Sequence, residues 1–390
     1  MSEIVLGLDK PANDGSCVGR SDGRVVFCRH GLPGETVRAA VVDGGPDSRF
    51  WRAEALAVVG RPAAERVASP CPWSGPGQCG GCSWLHAHPD AQLDFKTQVL
   101  AETLERIGGI HWPVEVRTLG RVSGWRTRLS LHVDDEGRAG FHAWHSHEVV
   151  SVADCLQADP RMDLPGLLEQ SWPAGATVRV SVSEAGRAVT VDSATGVSHR
   201  GAREHLHVVD GREFRTAADG FWQSHVDAAS VLTAQVRELV PRDAGSRIVD
   251  LYSGVGLFGL ALLDSHEPSS VELVEGDRSA AEFAVRNCGG DPRVDVIPRD
   301  VRRWARGPRT ADVVVLDPPR AGAGKQVVSA IARTGARTVV YVSCDAATLA
   351  RDLRWFVAMG YQPDQIVGFD LFPGTAHLET VVRLRASGQG

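Results

Sequence analysis

Beyond Asp219 the chain alternates short β-branched, aliphatic runs with amphipathic helical stretches, and few folds accommodate that rhythm. Arg247 to Tyr252, Ser270 to Val274, Val294 to Pro298, Asp312 to Leu316 and Arg337 to Val342 read as apolar strands. Between them, Ser279 to Cys288 and Ala346 to Met359 read as helices, the second with Leu349, Leu353, Phe356 and Val357 on one face. Repeated strand, crossover helix and parallel strand make a doubly wound α/β sheet, which binds ligands beyond the carboxyl ends of its strands. Chemistry is therefore sought at those ends.

The first strand ends in Asp250-Leu-Tyr-Ser-Gly254-Val-Gly256, a glycine-rich turn into a helix that lets backbone approach a ligand closely. Gly254, Gly256 and Gly259 also satisfy the dinucleotide spacing. An acid ahead of the glycines, and nothing elsewhere suited to hydride transfer, fit S-adenosylmethionine better, because the acid can pair with its cationic methionyl end. The next strand ends in Val274-Glu275, where a carboxylate can accept two ribose hydroxyls, and a later one in Asp317-Pro-Pro-Arg320, whose prolines stiffen the backbone beside a substrate.

Tyr341-Val-Ser-Cys-Asp345 delivers Cys344 to a strand's carboxyl edge just before a helix N-terminus, which favours a thiolate. A buried structural thiol is the competing reading. Glu379 lies in a β-run from Phe372 to Leu384 and reads either as a base or as a solvated edge-strand carboxylate, while the neighbouring His377 receives no chemistry.

The first half is different. Residues 1 to about 60 show short β-rich runs (Ile4 to Leu6, Arg24 to Cys28, Thr36 to Val42, Arg52 to Val59) with Gly, Asp and Pro turns, the pattern of a small all-β barrel or sandwich. Pro89 to Ile107 turns helical and stops at Gly108-Gly109, and residues 113 to about 212 return to short strands. No apolar run approaches the roughly 18 residues that span a bilayer, and no signal peptide opens the chain, so a cytoplasmic protein is expected. Net charge -6 argues against a nucleic-acid coat protein but leaves room for a local basic groove. Of eight cysteines, Cys71, Cys79 and Cys82 cluster, which in a cytosolic chain points to metal before disulfide.

These motifs together resemble the RNA uridine-C5 methyltransferases, which make 5-methyluridine in tRNA or 23S rRNA. The match runs in order through Phe221-Trp-Gln223, Asp250 to Phe258, Val274-Glu275-Gly276, Asp317 to Gly322, Tyr341 to Cys344, Ala347 to Asp352 and Phe372 to Glu379. Gly19 to Phe27 and Leu32-Pro-Gly-Glu35 resemble the TRAM domain, an OB-like RNA-binding barrel. The resemblance implies three parts: a TRAM-like barrel (1–60), a central β-rich domain (61–212) and a Rossmann-like methyltransferase domain (213–390).

It also implies roles. Gln223, Tyr252, Glu275 and Asp317 look like cofactor contacts, Asp300 like an adenine contact, Cys344 like the nucleophile and Glu379 like the base. Cys71, Cys79, Cys82 and Cys155 look like a [4Fe-4S] site, though the spacing from Cys71 to Cys79 exceeds the family's usual one; four thiolates also suit zinc, and the resemblance favours the cluster. Cys344 would add to C6 of uracil so that C5 can take the methyl group, and Glu379 would remove the C5 proton. Arg117, Arg121, Arg126 and Arg128, with Trp125 among them, suit phosphate contacts and base stacking, or a solvated strand face.

The expected partner is structured RNA, with no membrane and no DNA, and the expected state a monomer. Where the family usually has Asn then Pro after the cysteine, this chain has Asp345 and Ala346, and a carboxylate beside the thiol would disfavour its thiolate. Two other functions are weighed. A cytosine-C5 enzyme usually carries a cysteine within or beside Asp-Pro-Pro, where Arg320 stands here; an RNA-binding factor with a vestigial site would bind RNA without methyl transfer.

Overall fold

The computed structural model of the chain describes residues 2–45, 47–243 and 245–387. Near the N-terminus, Glu3–Pro11, Cys17–Ser21, Arg24–Arg29, Phe50–Val58 and Thr36–Asp43 close, in that neighbour order, into a five-stranded barrel. Alternate residues such as Leu6, Leu8, Val26, Cys28, Val37 and Ala39 fill its interior, as a period of two requires when one face is sealed from water. Cys17–Ser21 escapes the sequence reading because Gly19, Arg20 and Ser21 carry no strand signal.

A six-stranded antiparallel sheet occupies the middle, ordered Gly196–Gly201, Gly186–Ser193, Thr177–Ser183, Arg128–Val133, Ala139–His142 and Val149–Val150. Leu129, Leu131, Val178, Val180, Val189 and Val191 pack there with Met162, Leu164 and Leu167.

An eight-stranded sheet organises the C-terminal half. From one edge it runs Val294–Pro298, Ser270–Glu275, Arg247–Leu251, Val313–Leu316, Thr338–Ser343, Glu379–Ala386, Tyr361–Asp370 and Glu115–Thr118. The first five strands are parallel, and the strand order reverses at Arg247–Leu251, which makes its carboxyl end the topological switch point. Val313–Leu316 and Thr338–Ser343 are buried at every position, which is why they read as unbroken apolar runs.

The last part of the sheet departs from the sequence reading. Phe372 to Leu384 is not one strand: Tyr361–Asp370 and Glu379–Ala386 form an antiparallel pair, and residues 371–378 loop between them. Pro373 removes a donor and Gly374 adopts φ 79°, so no ladder can run through them. Glu379–Ala386 pairs on its other side with Thr338–Ser343, which makes it an interior strand rather than an edge.

The helix Pro89–Thr103 and the π-turn Leu104–Gly108 leave the middle of the molecule for this sheet. Leu100 and Leu104 share a core with Leu349, Leu353 and Phe356, and the following strand, Glu115–Thr118, pairs with Tyr361–Asp370. Lys96 on that helix is fully buried, ion-paired with Asp370, and donates to the Phe372 carbonyl at 3.2 Å. Truncating one partner of a buried pair leaves the other's charge uncompensated, at a cost of roughly 3–5 kcal/mol. Urea denaturation should therefore show Lys96→Ala losing about that much stability, while Arg278→Ala at the exposed Arg278–Glu282 pair loses less than about 0.5 kcal/mol.

Candidate active site

One cavity of about 860 Å³ opens at the carboxyl ends of the parallel strands. Gln223, Tyr252, Glu275, Asp317, Cys344 and Glu379 all line it, although they come from positions 223 to 379 of the chain. The glycine-rich turn forms its floor. Tyr252, Gly254 and Gly256 hold φ of 61°, 56° and 94°, and for tyrosine that left-handed conformation costs on the order of 1 kcal/mol, strain of a kind that gathers at functional sites.

Glu275 ties this turn to the next strand. Its Oε2 accepts from the Gly254 N–H at 2.8 Å and its Oε1 from the Asp277 N–H at 2.6 Å, and each oxygen keeps a free lone pair. Asp250 behaves otherwise than its position in the motif implies. It is fully buried, accepts from the Gly259 N–H at 2.8 Å and is not among the lining residues, so it supports the turn from behind. Asp300 is likewise outside the lining; it caps the short helix Val301–Trp304 by accepting from the Arg303 N–H.

Cys344 and Glu379 meet because of strand register. Ser343 pairs with Thr380 across the antiparallel ladder, so the next positions outward, Cys344 and Glu379, face each other at the sheet's end. Glu379 is 4% exposed and Cys344 half-buried.

Electrostatics follow from that burial. Desolvation first, and then the carboxylates of Glu379 and Asp317, push the Cys344 thiol up to about 11, while Arg320 pulls it back. The helix N-terminus expected to favour a thiolate is thus outweighed. Burial also pushes Asp317 up to about 7, and burial together with Asp317 holds the Glu379 carboxyl well above the usual carboxylate range, again opposed by Arg320. Asp345 is not what raises the thiol. Its Oδ1 accepts from the Thr348 N–H at 2.8 Å, capping the helix Ala346–Ala358, a task Asp and Asn perform equally well.

Arg320 is the residue the sequence reading passes over, seen there only as the place of an absent cysteine. Its signal is its position in Asp-Pro-Pro-Arg. The Ala347 to Asp352 motif also gains a physical role: buried Asp352 accepts from Tyr341 Oη (2.8 Å) and the Ala323 N–H (2.7 Å), and Thr348 Oγ1 donates to the Arg320 carbonyl (3.0 Å). These bonds clasp the Asp317 to Gly322 turn against the helix that follows Cys344.

Cys71, Cys79, Cys82 and Cys155 line a second, smaller cavity, and none is in a disulfide. Among the described residues no group of three or more His, Cys, Asp or Glu is arranged to hold a metal ion. The thiols are nonetheless close: burial and then Cys155, Cys79 and Cys71 push Cys82 up to about 12. Arg29 from the barrel lies beside them, 1% exposed, donating to the Cys82 carbonyl at 2.6 Å and leaving Nε and Nη1 without partners.

The arginine stretch divides. Trp125 is 1% exposed, stacked on His225 and edge-on to Phe372, so it is core and not a stacking platform. Arg128 donates to the Ala218 and Gly220 carbonyls, Arg117 and Arg121 sit exposed beside Glu115 and Asp227, and Arg126 lines both cavities.

The chain is similar to several known proteins. The family described as "Methyltransferase small domain" matches residues 211–340, and "tRNA (Uracil-5-)-methyltransferase" matches residues 309–387. A Streptomyces coelicolor protein described as an uncharacterized RNA methyltransferase is 38% identical, covering 100% of this chain and 94% of that protein. A 23S rRNA (uracil(1939)-C(5))-methyltransferase of Halomonas elongata is 31% identical, over 98% of this chain and 88% of its own. Among solved structures, Pyrococcus abyssi tRNA (uracil-54, C5)-methyltransferase, in complex with S-adenosyl-L-homocysteine, superposes with a TM-score of 0.71 at 25% identity, covering 97% of this chain and 100% of that one.

In the free protein, iodoacetamide labelling of Cys344, followed by peptide mass spectrometry, should rise with pH toward a midpoint of about 11. Arg320→Ala removes the charge that favours the thiolate and should shift the rise to higher pH. Half-maximal labelling at or below pH 8 contradicts this electrostatic picture.

Proposed function

Because the chain belongs to the RNA uracil-C5 methyltransferase family, we propose that it methylates C5 of one uridine in a structured rRNA or tRNA through a covalent adduct on Cys344. The observation that carries this reading is the register that sets Cys344 opposite Glu379 at the rim of a cavity also lined by Asp317 and Arg320.

S-adenosylmethionine, when bound, supplies an electrophilic methyl carbon. Gln223, Tyr252, Glu275 and Asp317 would hold it. The fit rests on charge and backbone: burial disfavours ionised Asp317, which a cationic ligand would relieve, and the left-handed turn from Tyr252 to Gly256 leaves open backbone at the strand end.

The residues act in sequence. Cys344 gives up its proton to solvent water, the resulting thiolate favoured by the Arg320 guanidinium, and its sulfur bonds to C6 of uracil; the C5–C6 electron pair moves toward C5 and O4 as an enolate. C5 uses that pair to bond the methyl carbon, which would part from its sulfonium sulfur as the carbon–sulfur electron pair stays with that sulfur. Glu379, as carboxylate, then takes the C5 proton, the C5–C6 double bond re-forms and the C6–S bond breaks, returning the thiolate. A carboxyl held well above its usual range is a stronger base than an ordinary glutamate and suits that abstraction. Reaching C5 requires the uridine to leave its stack.

The N-terminal barrel serves in this reading as a TRAM-type RNA-binding module. The four cysteines are the ligands of a [4Fe-4S] cluster. Four thiolates would suit either zinc or an iron–sulfur cluster, and the family resemblance favours the cluster. An anionic cluster would also offset the buried Arg29 and Arg126 charges beside it.

Nucleoside analysis and mapping of tRNA and rRNA from cells with and without the gene should show one 5-methyluridine lost, and purified protein should restore it in vitro. Cys344→Ser should lower kcat on the order of a thousandfold or more. If no 5-methyluridine depends on the gene, or Cys344→Ser retains full activity, the reading fails.

A further inference from the structure

The loop 371–378, which leads into Glu379, is held chiefly by the first half of the chain. Ser83 and Trp84 N–H groups both donate to the Gly374 carbonyl at 2.9 Å. The Gly374 N–H donates to Gln92 Oε1 at 2.8 Å, and Gln157 Nε2 donates to the Pro373 carbonyl at 3.1 Å. A side chain at Gly374, whose φ is 79°, would be strained and would displace Leu85 Cδ2, met at 2.7 Å, and Gln157 Nε2, met at 2.9 Å, so the cradle favours glycine.

This cradle and the four-cysteine site are one construction. Ser83 follows Cys82 directly, and Gln157 stands two residues after Cys155. Gln157 also lines the cysteine cavity together with Cys82 and Cys155, so a single residue borders both the cysteine site and the loop. Thr375, the residue after Gly374, lines the cysteine cavity and the active-site cavity alike.

We propose that Gln92 and Gln157 are positioning residues, and that the cysteine site, by fixing the chain at Cys82 and Cys155, sets where the Pro373-Gly374 turn sits and hence where the Glu379 carboxyl stands relative to Cys344. The proposal rests on the functional reading above for what Glu379 does. Its consequence is selective: a displacement of about 1 Å can cost on the order of a hundredfold in rate, and here the loss falls on C5 deprotonation, the step Glu379 performs, and not on the earlier formation of the C6–S bond. A purely structural role would instead lower every step and the amount of folded protein together.

Two measurements test it, on the full-length, iron-loaded protein and its Gln92→Ala, Gln157→Ala and Cys155→Ser variants. In the first, without RNA, hydrogen exchange of the peptide spanning 371–378 should be at least about tenfold faster in each variant than in wild type, as the loss of a buried hydrogen bond predicts. In the second, with a wild-type substrate RNA and the methyl donor, Gln157→Ala should keep its KM values, lose about ten- to hundredfold in kcat and accumulate a methylated, denaturant-stable protein–RNA adduct. Unchanged exchange in the loop overturns the proposal, as does a lower kcat with no adduct. Exchange needs no RNA, so it decides the cradle even where wild-type protein methylates no trial RNA, a failure that counts against the functional reading alone.

Discussion

The site depends on one register. Glu379–Ala386 enters the sheet between Thr338–Ser343 and Tyr361–Asp370, and the pairing of Ser343 with Thr380 brings a sulfur and a carboxyl from opposite chain directions to the same sheet end. Side chains alternate faces along a strand, so a slip of one residue would send Glu379 to the opposite face and move Val381, Val382 and Leu384 out of the separate cores, one on each face of the sheet, that they now fill. Val381, Val382 and Leu384 are fully buried and oppose that slip. The placement of Cys344 and Glu379 and the core packing are thus specified by the same pairing.

Burial then makes the cavity chemically unusual. Three acidic or thiol groups, Asp317, Cys344 and Glu379, share a desolvated space in which Asp317 raises the proton affinity of Cys344 and Glu379 and Glu379 raises that of Cys344, and Arg320 is the cation that opposes this at both Cys344 and Glu379. Such a site keeps Cys344 as a thiol and gives the Glu379 carboxyl a high proton affinity, and a cationic ligand would shift that balance toward charge separation. Asp345, which in sequence stands closest to the sulfur, spends its charge on a helix cap.

How much of this was legible depended on how local the signal is. The five parallel strands, the glycine turn and the strand-end residues were readable because each announces itself within about six residues through periodicity, glycine or proline. The final antiparallel pair was not, because Tyr361–Asp370 begins with polar, irregular residues and the Pro-Gly loop was absorbed into a continuous β-run. Helix Pro89–Thr103 was visible as a helix, but its destination was set by a buried ion pair between residues 274 positions apart, Lys96 and Asp370, which no local pattern encodes. Trp125 among arginines looked like a nucleic-acid platform; only the packing of His225 and Phe372 around it shows core.

The central claim is that the Cys344 sulfur bonds to the target base while Glu379 frees it. Its most direct measurement uses the 5-methyluridine-accepting RNA with 5-fluorouridine at the target position, incubated with the protein and S-adenosylmethionine. Fluorine cannot leave C5 as a proton does, so the account predicts a stable methylated protein–RNA crosslink that peptide mass spectrometry locates on Cys344. A verified substrate that gives no crosslink, or one attached at any other residue, contradicts it.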